Sequence, residues 1–258
     1  MRNSFQLLWF LVTIAVVPFG ATAQNNGMVR IEGGSYLPLY GVDSAIVEVG
    51  NFFMDVYAVT NADYQKFIIQ NPKWQPMNAP TIFADGSYLA NWETETSFGD
   101  KLSANSPVHN VSWFAAKAYC KSKGKRLPTI DEWEYVAMAD QEVPDARFKK
   151  DYNQYILGWY ERPKTNTKEV GSTFKNYWGV YDLHGIIWEW TSDFNSVLLS
   201  GESRKDSEKD AKLFCGSASI DATDLMNYAA FMRYAFRGSL KANYSGNNLG
   251  FRCVKDDK

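Results

Sequence analysis

The sequence predicts an α+β domain rich in loops, on three observations. Aromatic residues make up 16% of the 258 residues, including 9 Trp, 15 Tyr and 16 Phe. Only a few short segments combine a good helix start with apolar residues at helical spacing, and the remainder alternates short aromatic stretches with Gly, Asn, Asp and Pro. A hydrophobic fraction of 45% against 22% charged residues provides a sizeable core, which excludes a disordered chain. The formal charge of -2 argues against nucleic acid as a partner, because phosphate neutralisation needs a clustered basic surface.

The chain opens with Arg2, an apolar run from Phe5 to about Phe19, and Ala21-Thr22-Ala23 before Gln24. That pattern reads as a secretory signal peptide over residues 1–23, leaving a mature domain of residues 24–258. No cysteine precedes Cys120, so no lipid or membrane anchor is expected after cleavage, and the location is secreted or periplasmic. In an oxidising compartment thiols tend to pair. Cys120, Cys215 and Cys253 allow one internal bridge and leave one thiol over, and spacing alone does not choose the pair.

Along the mature chain, residues 28–31 form a short strand that runs into the Gly-rich turn 32–36, and a second strand is predicted within residues 46–57. Thr60 or Asn61 caps a helix whose Tyr64, Phe67 and Ile68 share one face. Residues 71–106 show no period and read as a long loop. Ser112 is the N-cap of a helix carrying Trp113, Ala116, Tyr119 and Cys120 and ending at Gly124. Thr129 with Glu132 three residues on forms a capping box at the start of a third. Beyond Ala139 short strands are predicted, and the polar run 196–212 reads as a solvated loop. No repeat of 20 to 50 residues is present, which excludes a solenoid or propeller.

The sequence has no phosphate-binding Gly-rich loop and no nucleophile elbow, and its two histidines, His109 and His184, are too few for a three-histidine metal centre. His109 is assigned a structural hydrogen bond. One stretch has the composition of a hard-cation loop: Asp182 and Glu189 stand seven apart around Gly185, and calcium takes carboxylate and carbonyl oxygens from such turns. A solvated surface turn explains the same spacing equally well.

Several motifs in order carry a resemblance: Glu32-Gly33-Gly34-Ser35, Val59-Thr60-Asn61-Ala62-Asp63-Tyr64, Pro107-Val108-His109-Asn110-Val111-Ser112-Trp113, Ala118-Tyr119-Cys120 and Lys125-Arg126-Leu127-Pro128-Thr129 with Glu132-Trp133-Glu134-Tyr135. Gly179-Val180-Tyr181-Asp182-Leu183, Trp188-Glu189-Trp190 and Asn248-Leu249-Gly250-Phe251-Arg252-Cys253 follow. Together they resemble the formylglycine-generating enzyme (sulfatase-modifying factor) family over nearly the whole mature chain. The resemblance implies one domain of C-type-lectin-like fold with little regular secondary structure. It implies a disulfide between Cys120 and Cys253, with Cys215 left over, and one calcium site using the side chains of Asp182 and Glu189 and the carbonyls of Gly185 and Ile187.

Active members of that family oxidise a sulfatase cysteine to formylglycine with oxygen and a copper ion held by two thiolates. Here residues 216–252 contain no cysteine, and counting back from Cys253 places Tyr234 and Ala229 where the pair should stand. Copper(I) needs soft sulfur ligands, so copper is not expected. Ser217, Trp188 and Asn248 match pocket positions of the family, and with Tyr234 they are the pocket candidates. The expectation is a pseudoenzyme that binds an unknown protein or peptide as an envelope-assembly module. The alternatives are a periplasmic enzyme with non-copper chemistry, using a group such as Glu189 or Tyr234, and sulfatase maturation itself.

Overall fold

Capping side chains and one pinned sheet explain most of the architecture. The computed structural model describes residues 27–39, 45–161, 168–196 and 225–257. Strand β1 (Met28–Ile31) pairs antiparallel with β4 (Phe52–Asp55), and β4 pairs antiparallel with β7 (Val254–Asp256), so the two ends of the domain flank one central strand. The predicted strand within residues 46–57 is two strands: β3 (Val47–Val49) precedes β4 and pairs antiparallel with β2 (Gly34–Tyr36). Two further short strands, β5 (Trp188–Glu189) and β6 (Leu249–Gly250), run parallel.

Helix α1 (Asn61–Gln70) begins at Thr60, whose hydroxyl accepts from the Asp63 amide at 3.2 Å. Helix α2 (Trp113–Ser122) begins in the same way at Ser112, and α3 (Ile130–Ala137) carries the full capping box, Glu132 reaching back to the Thr129 amide at 2.9 Å. In each case the cap satisfies amides that a helix leaves without partners. Residues 71–106 hold a single 3-10 turn (Pro72–Trp74) and otherwise turns, as expected.

The region beyond Ala139 departs from the expectation of short strands. It contains helix α4 (Lys150–Glu161) and helix α5 (Leu225–Gly238), which pack on each other. Their aromatic content favours strands by propensity, but the apolar residues Tyr152 and Ile156 recur four apart and bury against Ala146 and Ala229. Tertiary burial outweighs propensity here. The signal segment, Cys215, Ser217 and most of the polar run 196–212 lie outside the described residues.

The core has two large parts. One joins α1 and α2 to Trp190, Phe251 and the Cys120–Cys253 disulfide, whose Cα atoms are 5.6 Å apart. The other joins the three-stranded sheet to α3 through Ile31, Met54, Val136 and Val254. Aromatic rings do much of the filling: Tyr64 alone meets Phe67, Trp92, Tyr119 and Phe251. Among the described residues no helix is long and apolar enough to cross a membrane.

Candidate functional site

Strands β5 and β6 bring two of the pocket candidates together. The Trp188 amide donates to the Asn248 carbonyl at 2.9 Å, which seats both half-buried residues at one end of the pair. The Trp188 indole lies 4.3 Å from the Phe236 ring, 5.2 Å from Tyr160 and 5.4 Å from Trp159, so helices α4 and α5 both lean on it. Tyr234 is not part of this group. It stands two residues before Phe236, on a different side of α5, beside Tyr36, Glu134 and Arg147. Burial pushes its phenol well above the usual range. Ala229 is fully buried in the α4–α5 contact.

Neither position can bind copper. A methyl group and a buried phenol offer no soft donor, Cys120 and Cys253 are joined to each other, and no thiol lies within residues 216–252.

Of the four residues expected to hold calcium, the two carboxylates are engaged by protein partners. Glu189 is fully buried, and both of its oxygens accept from the Arg252 Nε, at 3.0 and 2.8 Å, while Oε1 takes a second bond from Nη2 and Oε2 one from the Trp133 indole, both at 2.8 Å. Asp182 turns to the other side of its loop, where it accepts from the amides of Gly171 and Thr173 and from the Thr173 hydroxyl. Calcium needs these oxygens converging and uncommitted. Here both carboxylates already accept from protein donors. Among the described residues no group of three His, Cys, Asp or Glu is placed to hold a metal. The same ion pair removes Glu189 as a general base, since its lone pairs face a guanidinium.

Sequence reasoning missed a second buried carboxylate. Glu134 on α3 accepts from Arg233 Nε at 2.9 Å and Nη2 at 2.6 Å, and from Arg237 Nη1 at 2.7 Å. Burial alone would raise this carboxyl, but the two guanidinium charges outweigh it and hold it down at about 2. The Arg237 guanidinium also stacks over the Trp133 ring at 4.8 Å, which spreads part of the surplus positive charge onto an aromatic face. The i,i+4 spacing of Arg233 and Arg237 was a visible sign of a helix face. Nothing local pointed to Glu134, 99 and 103 residues away.

His184 is the other buried ionisable group. Its Nε2 donates to the Ala137 carbonyl at 3.0 Å, Nδ1 has no partner, and the rings of Trp133, Tyr152 and Trp159 surround it edge-on. Burial, with the Arg233 charge adding to it, lowers its pKa to about 3, so the imidazole stays neutral. His109 has the structural role assigned to it. It accepts from Asn91 and donates to Asn110, whose backbone is left-handed at φ 57°.

Comparison with known proteins agrees with this construction. The Sulfatase-modifying factor enzyme 1-like domain model matches residues 15–257. The formylglycine-generating enzyme of Bos taurus is 30% identical, the match covering 93% of this chain and 77% of that protein. The inactive C-alpha-formylglycine-generating enzyme 2 of Mus musculus is 27% identical, over 90% of this chain and 86% of that one. Among solved structures, that described as the crystal structure of CarF superposes with a TM-score of 0.50 at 16% identity, covering 90% of this chain and 98% of that chain, which supports the fold. With the family model spanning almost every residue from the first strand to the last, the chain belongs to the formylglycine-generating enzyme (sulfatase-modifying factor) family.

Proposed function

We propose that this family member does not generate formylglycine and serves instead as an exported binding or envelope-assembly module for a protein or peptide. The carrying observation is the state of the two positions where the family's thiolates would stand. Ala229 and Tyr234 lie on α5, buried and committed to packing, and no cysteine occurs elsewhere in that interval. The likeness to a relative named as inactive supports the same reading. The face offered to a partner is the end of β5–β6 at Trp188 and Asn248, with α5 beside it.

The test loads the full-length mature protein with copper, supplies a cysteine-containing sulfatase-motif peptide under oxygen, and follows the peptide by mass spectrometry. Unchanged cysteine is expected. Aldehyde formation would overturn the proposal and restore sulfatase maturation. Export is tested separately, by finding Gln24 as the N-terminus of the protein outside the cytoplasm.

A further inference from the structure

Alongside α4 the chain forms a cleft of about 870 Å³, walled by that helix, by residues 168–174 and by Gly185 and Ile186. We propose that this cleft binds a neutral oligosaccharide. The inference does not depend on the function proposed above, because the cleft is lined by other residues.

Its charges nearly balance: Asp140, Glu142 and Asp151 stand against Lys149 and Lys168, which leaves one negative charge in the lining. Lys149 bonds Asp140 at 2.6 Å and Glu142 at 2.8 Å, and Asp140 accepts two backbone amides as well. The remaining lining charges, Asp151 and Lys168, are of opposite sign. With no surplus cation, the lining has little to hold an anionic ligand. The neutral polar groups Gln141, Gln154 and Ser172 each donate and accept, as a hydroxyl-rich ligand requires. The size suits several small rings.

An aromatic shelf completes the lining. Tyr155 is 42% exposed, its ring meets Phe174 edge-on at 5.4 Å, and its hydroxyl hydrogen-bonds to Thr173, which Asp182 holds at 2.8 Å. A ring fixed in this way offers an apolar face beside polar groups, which matches the two chemistries of a sugar ring.

Gly158 leaves one wall of the cleft as bare backbone. It lies inside α4, where glycine is less stable than alanine, and it lines the cleft. A Cβ built on it would meet no atom within 4 Å, so the protein's own packing does not require its bareness. Gly185, across the cleft, differs: its φ is +108° and a Cβ there would stand 3.0 Å from Thr173 and 3.1 Å from the Tyr155 hydroxyl. One glycine is required by its surroundings, and the other leaves room for a ligand to rest against bare backbone.

The experiment screens the full-length mature protein against an array of neutral and acidic glycans, then titrates maltopentaose, cellopentaose and chitopentaose by calorimetry. Saturable binding of at least one neutral glycan is expected. Gly158→Ala is expected to raise the melting temperature while weakening that binding at least tenfold, and Tyr155→Ala to weaken it at least tenfold. Three results would overturn the proposal: no neutral glycan bound by the folded protein, binding of acidic glycans alone, or unchanged affinity in Gly158→Ala.

Discussion

Two buried carboxylates stand on either side of one indole, and they are balanced differently. Glu189 faces a single guanidinium, Arg252, which also donates to the carbonyls of Asp55, Val56 and Tyr181, so that cluster is neutral and tied to backbone at two separate segments. Glu134 faces two, Arg233 and Arg237, and the cluster keeps a surplus positive charge. Trp133 separates them, donating its N–H to Glu189 and giving its ring face to Arg237. The first cluster fastens the core beneath the terminal strand. The second fastens one helix, α5, and α5 carries the positions where the family's thiolates are missing. Electrostatic pinning ties this helix to α3.

Breaking the Glu134 side should have the largest effect. Glu134→Gln leaves two guanidiniums buried with no anion, and removing one partner of a single buried pair already costs about 3–5 kcal/mol. A loss of about 5 kcal/mol is expected in denaturant unfolding, with hydrogen exchange opening first in α5. Glu189→Gln should cost about 3 kcal/mol, because backbone carbonyls still receive Arg252. Equal losses from the two variants, or exchange spread evenly over the chain, would remove the distinction.

The disulfide belongs to the Glu189 side, since Cys253 follows Arg252 directly and its amide donates to Asp55, itself paired with Lys125. Joining residues 133 apart removes much freedom from the unfolded chain, so a Cys120→Ala, Cys253→Ala double variant should lose about 4 kcal/mol. Global melting should fall while the local protection of α5 relative to the whole stays constant. Selective loss of α5 would show that the two sides are coupled through Trp133.

The same contrast sorts what was legible in the sequence. Helices α1, α2 and α3 start at Thr60, Ser112 and Thr129, whose hydroxyls act on amides two or three residues away, so the signal is local and readable. Helices α4 and α5 have no such signal. Gly158 interrupts one, both are full of aromatic residues with strand propensity, and what makes them helical is their contact with each other. The candidate site was half readable for a related reason. Trp188 and Asn248 were found because they fall in ordered motifs. Asp182 and Glu189 looked like cation ligands because spacing reports which side chains are near in sequence and not which are already engaged.

His184 sharpens the comparison through pH. Its pKa is lowered to about 3 in the fold, below the ordinary value of about 6.5, so the unfolded chain binds the extra proton between those values. Stability is therefore full above pH 6.5 and declines as pH falls, by about 2 kcal/mol at pH 5. Glu134 behaves as a lowered carboxyl, and its contribution is lost only as pH falls from its unfolded value towards about 2. Acid titration of unfolding should show the histidine phase first and the carboxylate phase later. A His184→Gln variant should flatten the first and leave the second. A slope between pH 6.5 and 5 that persists in that variant would assign it to another group.

The smallest expected effect tests how far the Glu134 cluster depends on the helix that presents it. Thr129 caps α3, and Glu132 both returns its bond and holds Arg126 through two contacts at 2.7 and 2.6 Å. Thr129→Ala removes a hydroxyl from an amide that keeps no other side-chain acceptor, a loss of about 1 kcal/mol. Glu134 sits more than one turn further on, where the backbone ladder of α3 continues from the Thr129 carbonyl to Trp133. The cap change should therefore leave the Glu134 pKa and the protection of α5 as they were. If α5 loosens in Thr129→Ala, the pin is set by the register of α3, and the ion cluster is its consequence.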